Sequence, residues 1–138
     1  MLVVFGGNDE HQLTSWAMGQ LRGLKTCGVD GSVAEAMMAA DVLVTSAGRT
    51  VNEAAAVGLP AVVVAANHRE SAHVHVEGVI YGGLHVAVAD GWLATVVKGL
   101  LSRPELRAEI GARMRAQVDG RGSARIAHRV DGLLESLS

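Results

Sequence analysis

The chain is short of cysteine, aromatic residues, sustained apolar runs and excess charge. Each shortage removes a class of protein. With Cys27 as the one cysteine, no intrachain disulfide framework exists, and a reducing, cytoplasmic setting is expected. No uninterrupted apolar stretch nears the roughly 20 residues that span a bilayer, so no transmembrane segment is expected. The first residues already read as a strand without a basic leader, so no signal peptide is expected. Lysine and arginine number 12 against 14 acidic residues, and the net charge of −2 offers no general field for nucleic acid. His68, His73 and His75 match no metal-ligand spacing and have no thiol or carboxylate at ligand spacing, so no metal is expected. Aromatic residues make up 3% of the chain while 49% is hydrophobic, so the core must be built from Val, Leu, Ala and Met. That palette suits closely packed α/β layers. A length of 138 residues fits one domain, and no repeat, low-complexity tract or linker divides it.

The stretch Asp41 to Asn67 organises the rest. Val42, Leu43 and Val44 read as a buried parallel strand, ended by the small residues Ser46, Ala47 and Gly48. Thr50 stands three residues before Glu53, the spacing of a capping box, and Gly58 and Pro60 close the short helix between them. Ala61 to Ala66 is the next buried strand. A helix start facing a glycine turn at the carboxyl end of a parallel strand is an anion site in waiting.

Around this unit the pattern alternates. Leu2 to Phe5 reads as a strand and Leu13 to Leu24 as a helix with Asp9 or Thr14 as its cap. Ser32 and Glu35 form a second capping-box spacing before a helix from Val33 to Ala40. Beyond the polar segment Asn67 to Glu77, a helix is expected before Gly82 and Gly83, then a last strand from Leu84 to Val88. Helices follow over Trp92 to Leu101, Pro104 to Val118 and Ser123 to Leu137. The expected fold is a Rossmann-like α/β domain in three layers, with right-handed crossovers and a reduced parallel sheet.

Several motifs resemble one family in the correct order. Phe5-Gly6-Gly7-Asn8-Asp9 with Leu13-Thr14 is similar to the opening of the C-terminal domain in the UDP-sugar hydrolases of pseudaminic acid biosynthesis and the related spore-coat polysaccharide glycosyltransferases. Ala40-Asp41, Ala47-Gly48-Arg49-Thr50, Glu53, Gly58-Leu59-Pro60 and Asn67 resemble the same group and, more distantly, the peptidoglycan UDP-N-acetylglucosamine transferases. Val118 to Gly122 with Arg125, Ile126 and Ala127 resembles the closing helix of the hydrolase group. All have the GT-B architecture, two Rossmann-like halves around a nucleotide sugar. The resemblance spans residues 1–138 as a single nucleotide-sugar-binding domain, the donor half, with the N-terminal half absent.

The resemblance implies specific roles. Ser46, Ala47, Gly48, Arg49 and Thr50 would receive the diphosphate of UDP or a UDP-sugar, and Glu53 the ribose hydroxyls. Gly6, Gly7 and Asn8 would face the site from the first strand, Val29 would lie near the uracil, and Asn67 and His68 near the sugar. No residue here is expected to be catalytic and no cofactor is implied, because the family's catalytic groups belong to the other half. The resemblance is to part of a glycosyltransferase or UDP-sugar hydrolase, and catalysis would need a partner. Shortening between Leu24 and Ser32 leaves room for no more than a vestigial strand, which exposes a sheet edge and favours a protein partner or a homo-oligomer. Plainer readings stand beside these. Glu53 completes a capping box with Thr50, Gly6 to Asp9 is an ordinary turn, Cys27 is a buried inert thiol, and His73 and His75 sit on a helix surface. The alternative function is an inactive nucleotide-binding or oligomerisation module that has kept the fold.

Overall fold

The computed structural model describes residues 1–6, 9, 11–27, 29 and 31–138; Gly7 and Asn8 of the expected site lie outside them. Four parallel strands form one sheet in the order β1 (Leu2–Val4), β2 (Leu43–Thr45), β3 (Ala61–Ala65), β4 (Ile80–Leu84). Leu2 pairs with Leu43 on one side, and its other side makes an isolated parallel bridge to Cys27. Among the described residues, that bridge is the one pairing on the outer side of β1. The chain therefore leaves β1 outward, turns at Cys27, and crosses back over β1 to β2.

Right-handed crossovers running in opposite directions must lie on opposite faces. Helix α1 (Leu13–Gln20) accordingly packs on one face with α5 (Trp92–Leu101), through Leu13, Ala17, Leu93 and Val97 against Val44, Val62 and Val64. Helices α2 (Val33–Met38), α3 (Arg49–Val57) and α6 (Pro104–Arg115) cover the other, through Met37, Ala54, Ala55 and Met114 against Leu43, Ala61 and Val63. Alternate residues of each strand feed the two clusters, as the period of two requires. The three-layer α/β fold is as expected, and β3 is buried along its whole length.

Three expectations about elements change. The last strand is Ile80–Leu84, with Gly82 and Gly83 inside it, and residues 72–79 before it are not helical; residues 85–87 form one 3-10 turn. Gly82 belongs in the strand because the Trp92 ring packs over it, 2.6 Å from where a Cβ would stand. The only helix between β3 and β4 among the described residues is the four-residue α4 (His68–Ser71), so His73 and His75 lie beyond it in irregular chain. Cys27 is exposed, its thiol donating to the Met1 carbonyl at 3.0 Å. No described helix is long and apolar enough to cross a membrane. The final helix α7 (Gly122–Leu137) buries none of its residues.

Candidate functional site

The reversal at Cys27 creates a topological switch point between the carboxyl ends of β1 and β2, where open α/β sheets take their ligands. Val4 lies opposite Thr45, so Phe5 and Gly6 run on beside Ser46 and Ala47. The residues expected to receive a diphosphate thus stand at the one place the topology leaves open.

The turn after β2 is tight. The Gly48 N–H donates to the Ser46 carbonyl at 2.9 Å, Ala47 is buried, and α3 begins at Arg49. Gly48 is the N-cap residue in extended conformation, and among the described residues no side chain caps the helix. This corrects the expected Thr50–Glu53 capping box. With the cap at Gly48, Thr50 is the second helical residue and Glu53 the fifth, too far along to reach the exposed end. The N–H groups of Arg49 and Thr50 precede the first intrahelical bond, which runs from the Val51 N–H to the Gly48 carbonyl at 3.1 Å. Glu53 is exposed, and among the described residues no ion pair engages it.

The neighbouring helix starts are already filled. Asp9 accepts from the Leu13 and Thr14 N–H groups at 2.7 and 2.9 Å, and the Thr14 N–H chiefly holds its carboxyl below the ordinary value. Asn67 Oδ1 accepts from the Glu70 N–H at 3.0 Å, and Glu70 Oε2 returns to the Ala66 N–H at 2.8 Å. Ser32 caps α2 through the Glu35 N–H, as its spacing predicts. At the switch point, α3 is the bare start.

Among the described residues, a Cβ on Gly6 or Gly48 would meet nothing within 4 Å, and neither has a positive φ. Gly58 and Gly111 are explained internally, Gly58 taking φ 72 to end α3 and Gly111 lying against the Gly58 backbone, whereas Gly19, Gly122 and Gly132 share the open surroundings of Gly6 and Gly48. Glycine at 48 leaves the start of α3 without a Cβ over it.

Of the remaining expected residues, Asn67 shares a hollow of about 260 Å3 with Ala47, Arg69, Glu70 and His73, which joins the β2 and β3 turns. His68 is the exposed first residue of α4 and does not line it. Val29 is exposed between undescribed neighbours, and no contact brings it to the site. Glu70, Arg69 and His73 were not expected at this rim. The Asn67-x-x-Glu70 spacing is the signal that identifies the capped turn. A larger hollow, about 520 Å3, lies at the opposite end of the strands, beside Asp41 and Pro60 at the starts of β2 and β3, and has no part in this site.

The arrangement can hold an anion on two backbone N–H groups and a helix dipole, with a free carboxylate less than two turns along for neighbouring hydroxyls. Among the described residues it contains no paired acid and base and no activated nucleophile. Neither a protein-family model nor a curated protein sequence matches the chain at a significant level.

Proposed function

We propose that the chain is the UDP-sugar-binding half of a two-part glycosyltransferase or UDP-sugar hydrolase, with catalysis dependent on groups from a partner. The observation that carries this reading is the start of α3 at the switch point, which no described side chain caps and over which Gly48 places no Cβ. The diphosphate lies on the Arg49 and Thr50 N–H groups, beside Ser46 and Ala47. Glu53 accepts the two ribose hydroxyls, a role supported by the loss of its competing capping partner. Asn67 and the hollow behind Ala47 take the sugar end, with His68 at its border; Val29 faces the base.

Titration calorimetry with UDP and UDP-N-acetylglucosamine tests this. The expected result is weak binding, with a Kd near 0.1–1 mM because half the cleft is missing, on the order of −4 to −6 kcal/mol. Glu53→Ala is expected to weaken it about 10-fold or more, the value of a hydrogen bond to a charged acceptor. No heat at millimolar nucleotide would refute the reading. Turnover of a UDP-sugar by the purified chain alone would refute the dependence on a partner. The second reading, a module kept for oligomerisation, is favoured by the uncovered α7, and it predicts no nucleotide binding at all.

A further inference from the structure

The hollow between the β2 and β3 turns holds more hydrogen-bonding capacity than the fold uses, and the bonds already made fix which atoms remain. Its walls are Ala47, Asn67, Arg69, Glu70 and His73, around about 260 Å3. A backbone N–H only donates, so Asn67 turns its carbonyl oxygen to the Glu70 N–H at 3.0 Å and keeps its amide NH2 as a donor pair. Glu70 Oε2 is taken by the Ala66 N–H at 2.8 Å, and Oε1 remains an acceptor. The Arg69 carbonyl only accepts, so the His73 Nδ1 that lies 2.6 Å from it carries the proton. Neutral His73 is thereby held as the Nδ1–H tautomer. Its Nε2, unbonded among the described residues, is a lone-pair acceptor.

We infer that His73 reads a sugar hydroxyl, accepting its hydrogen bond on Nε2 when a UDP-sugar is bound; the inference rests on the nucleotide reading above. Donor and acceptors together define the ligand. A hydroxyl donates and accepts at once, so adjacent sugar hydroxyls can donate to Glu70 Oε1 or His73 Nε2 while accepting from Asn67. Arg69, exposed and in no ion pair among the described residues, adds donors on the same wall. The two acceptors are what an ionised phosphate cannot use, since it has no proton to donate to them. The hollow therefore suits the sugar and leaves the phosphates to the start of α3. A plainer role for His73 is to satisfy a carbonyl at the end of α4. That role uses Nδ1 alone and is indifferent to what Nε2 meets.

Titration calorimetry of the full chain with UDP and with UDP-N-acetylglucosamine, on the parent, His73→Phe and His73→Gln, reads the outcome. His73→Phe is expected to weaken UDP-N-acetylglucosamine by about 3–10-fold, the worth of one hydrogen bond, and to leave UDP unchanged. His73→Gln, whose amide oxygen is again an acceptor, is expected to recover most of the loss. His73 is exposed, so both variants should keep the parent's circular dichroism. Imidazole nitrogen resonances give a second readout. In the free, neutral ring Nδ1 carries the proton, and the Nε2 resonance moves on adding UDP-N-acetylglucosamine but not on adding UDP. No heat from either ligand overturns the nucleotide reading and this inference with it. Binding of UDP-N-acetylglucosamine that is indifferent to His73→Phe, or an equal loss for both ligands, overturns this inference and leaves the nucleotide reading standing. A neutral His73 protonated at Nε2 overturns it as well, because the acceptor is then absent.

Discussion

Replacing Gly111 by alanine tests the packing that fixes α3 beneath the site. Helix α6 crosses α3 at this residue, and an added Cβ would stand 3.0 Å from the Gly58 carbonyl carbon and overlap its oxygen. Gly58 cannot retreat freely. It ends α3 at φ 72, and its N–H is bonded to the Ala54 and Ala55 carbonyls. The overlap is relieved by lifting α6, which opens the cluster around the fully buried Met114. Alanine for glycine inside a helix gains about 1 kcal/mol. Overpacking against backbone costs about 1–3 kcal/mol and more where nothing flexible can yield. With no flexible side chain at the contact the cost is placed at the top of that range, so a net loss of about 2 kcal/mol is expected. For a chain of this length that lowers Tm by about 6–10 °C. Differential scanning calorimetry measures it, with Gly99→Ala as the control, because its Cβ would meet only the far end of Arg103 at 3.6 Å. Gly99→Ala should melt at or above the parent. A Gly111→Ala protein as stable as the parent would show that α6 does not rest on α3 as described.

Gly82→Ala must displace the Trp92 ring, so a loss of about 1–2 kcal/mol is expected together with a changed near-ultraviolet tryptophan signal. Glu70→Ala leaves the Ala66 N–H without its acceptor; hydrogen exchange at Ala66 is expected to speed up by about 10-fold, the equivalent of about 1.4 kcal/mol. Asp9 titrates below its ordinary 3.8, held down first by the Thr14 N–H, so its contribution is present above that value and lost as pH falls through the lowered one. Loosening of the α1 start below about pH 4, followed by the Leu13 and Thr14 amide shifts, is the expected sign, and Asp9→Asn should abolish it.

The sequence reading succeeds where periodicity and helix signals act together. Val42 to Val44, Ala61 to Ala66 and the Ser32–Glu35 cap lie within a residue of their structural counterparts, because buried strands and side-chain caps are local properties. It fails at Gly82, whose place in β4 is set by Trp92, ten residues further on and supplied by α5, and at its neighbour Gly83. Exposure of Cys27 likewise depends on where the shortened crossover turns. At the site, the glycine turn is legible, but the choice between Thr50 and Gly48 as cap is not. Thr-x-x-Glu spacing gives a valid cap in isolation. The hydrogen bond from Gly48 to Ser46 tightens the turn and starts the helix at Arg49 instead. The stripe of α7 is visible in sequence; that the domain leaves it uncovered is not.

An uncapped start for α3 has a consequence for how the empty chain moves. Asp9 and Asn67 hold their own helix starts in place, whereas no described side chain caps the first turn of α3. Its amides at Arg49 and Thr50 open to solvent as part of ordinary fraying. On the proposed function, a bound phosphate would do for α3 what Asp9 does for α1. The ligand would then be a structural member of the helix, and its arrival would be read most directly as slowed exchange at two backbone amides.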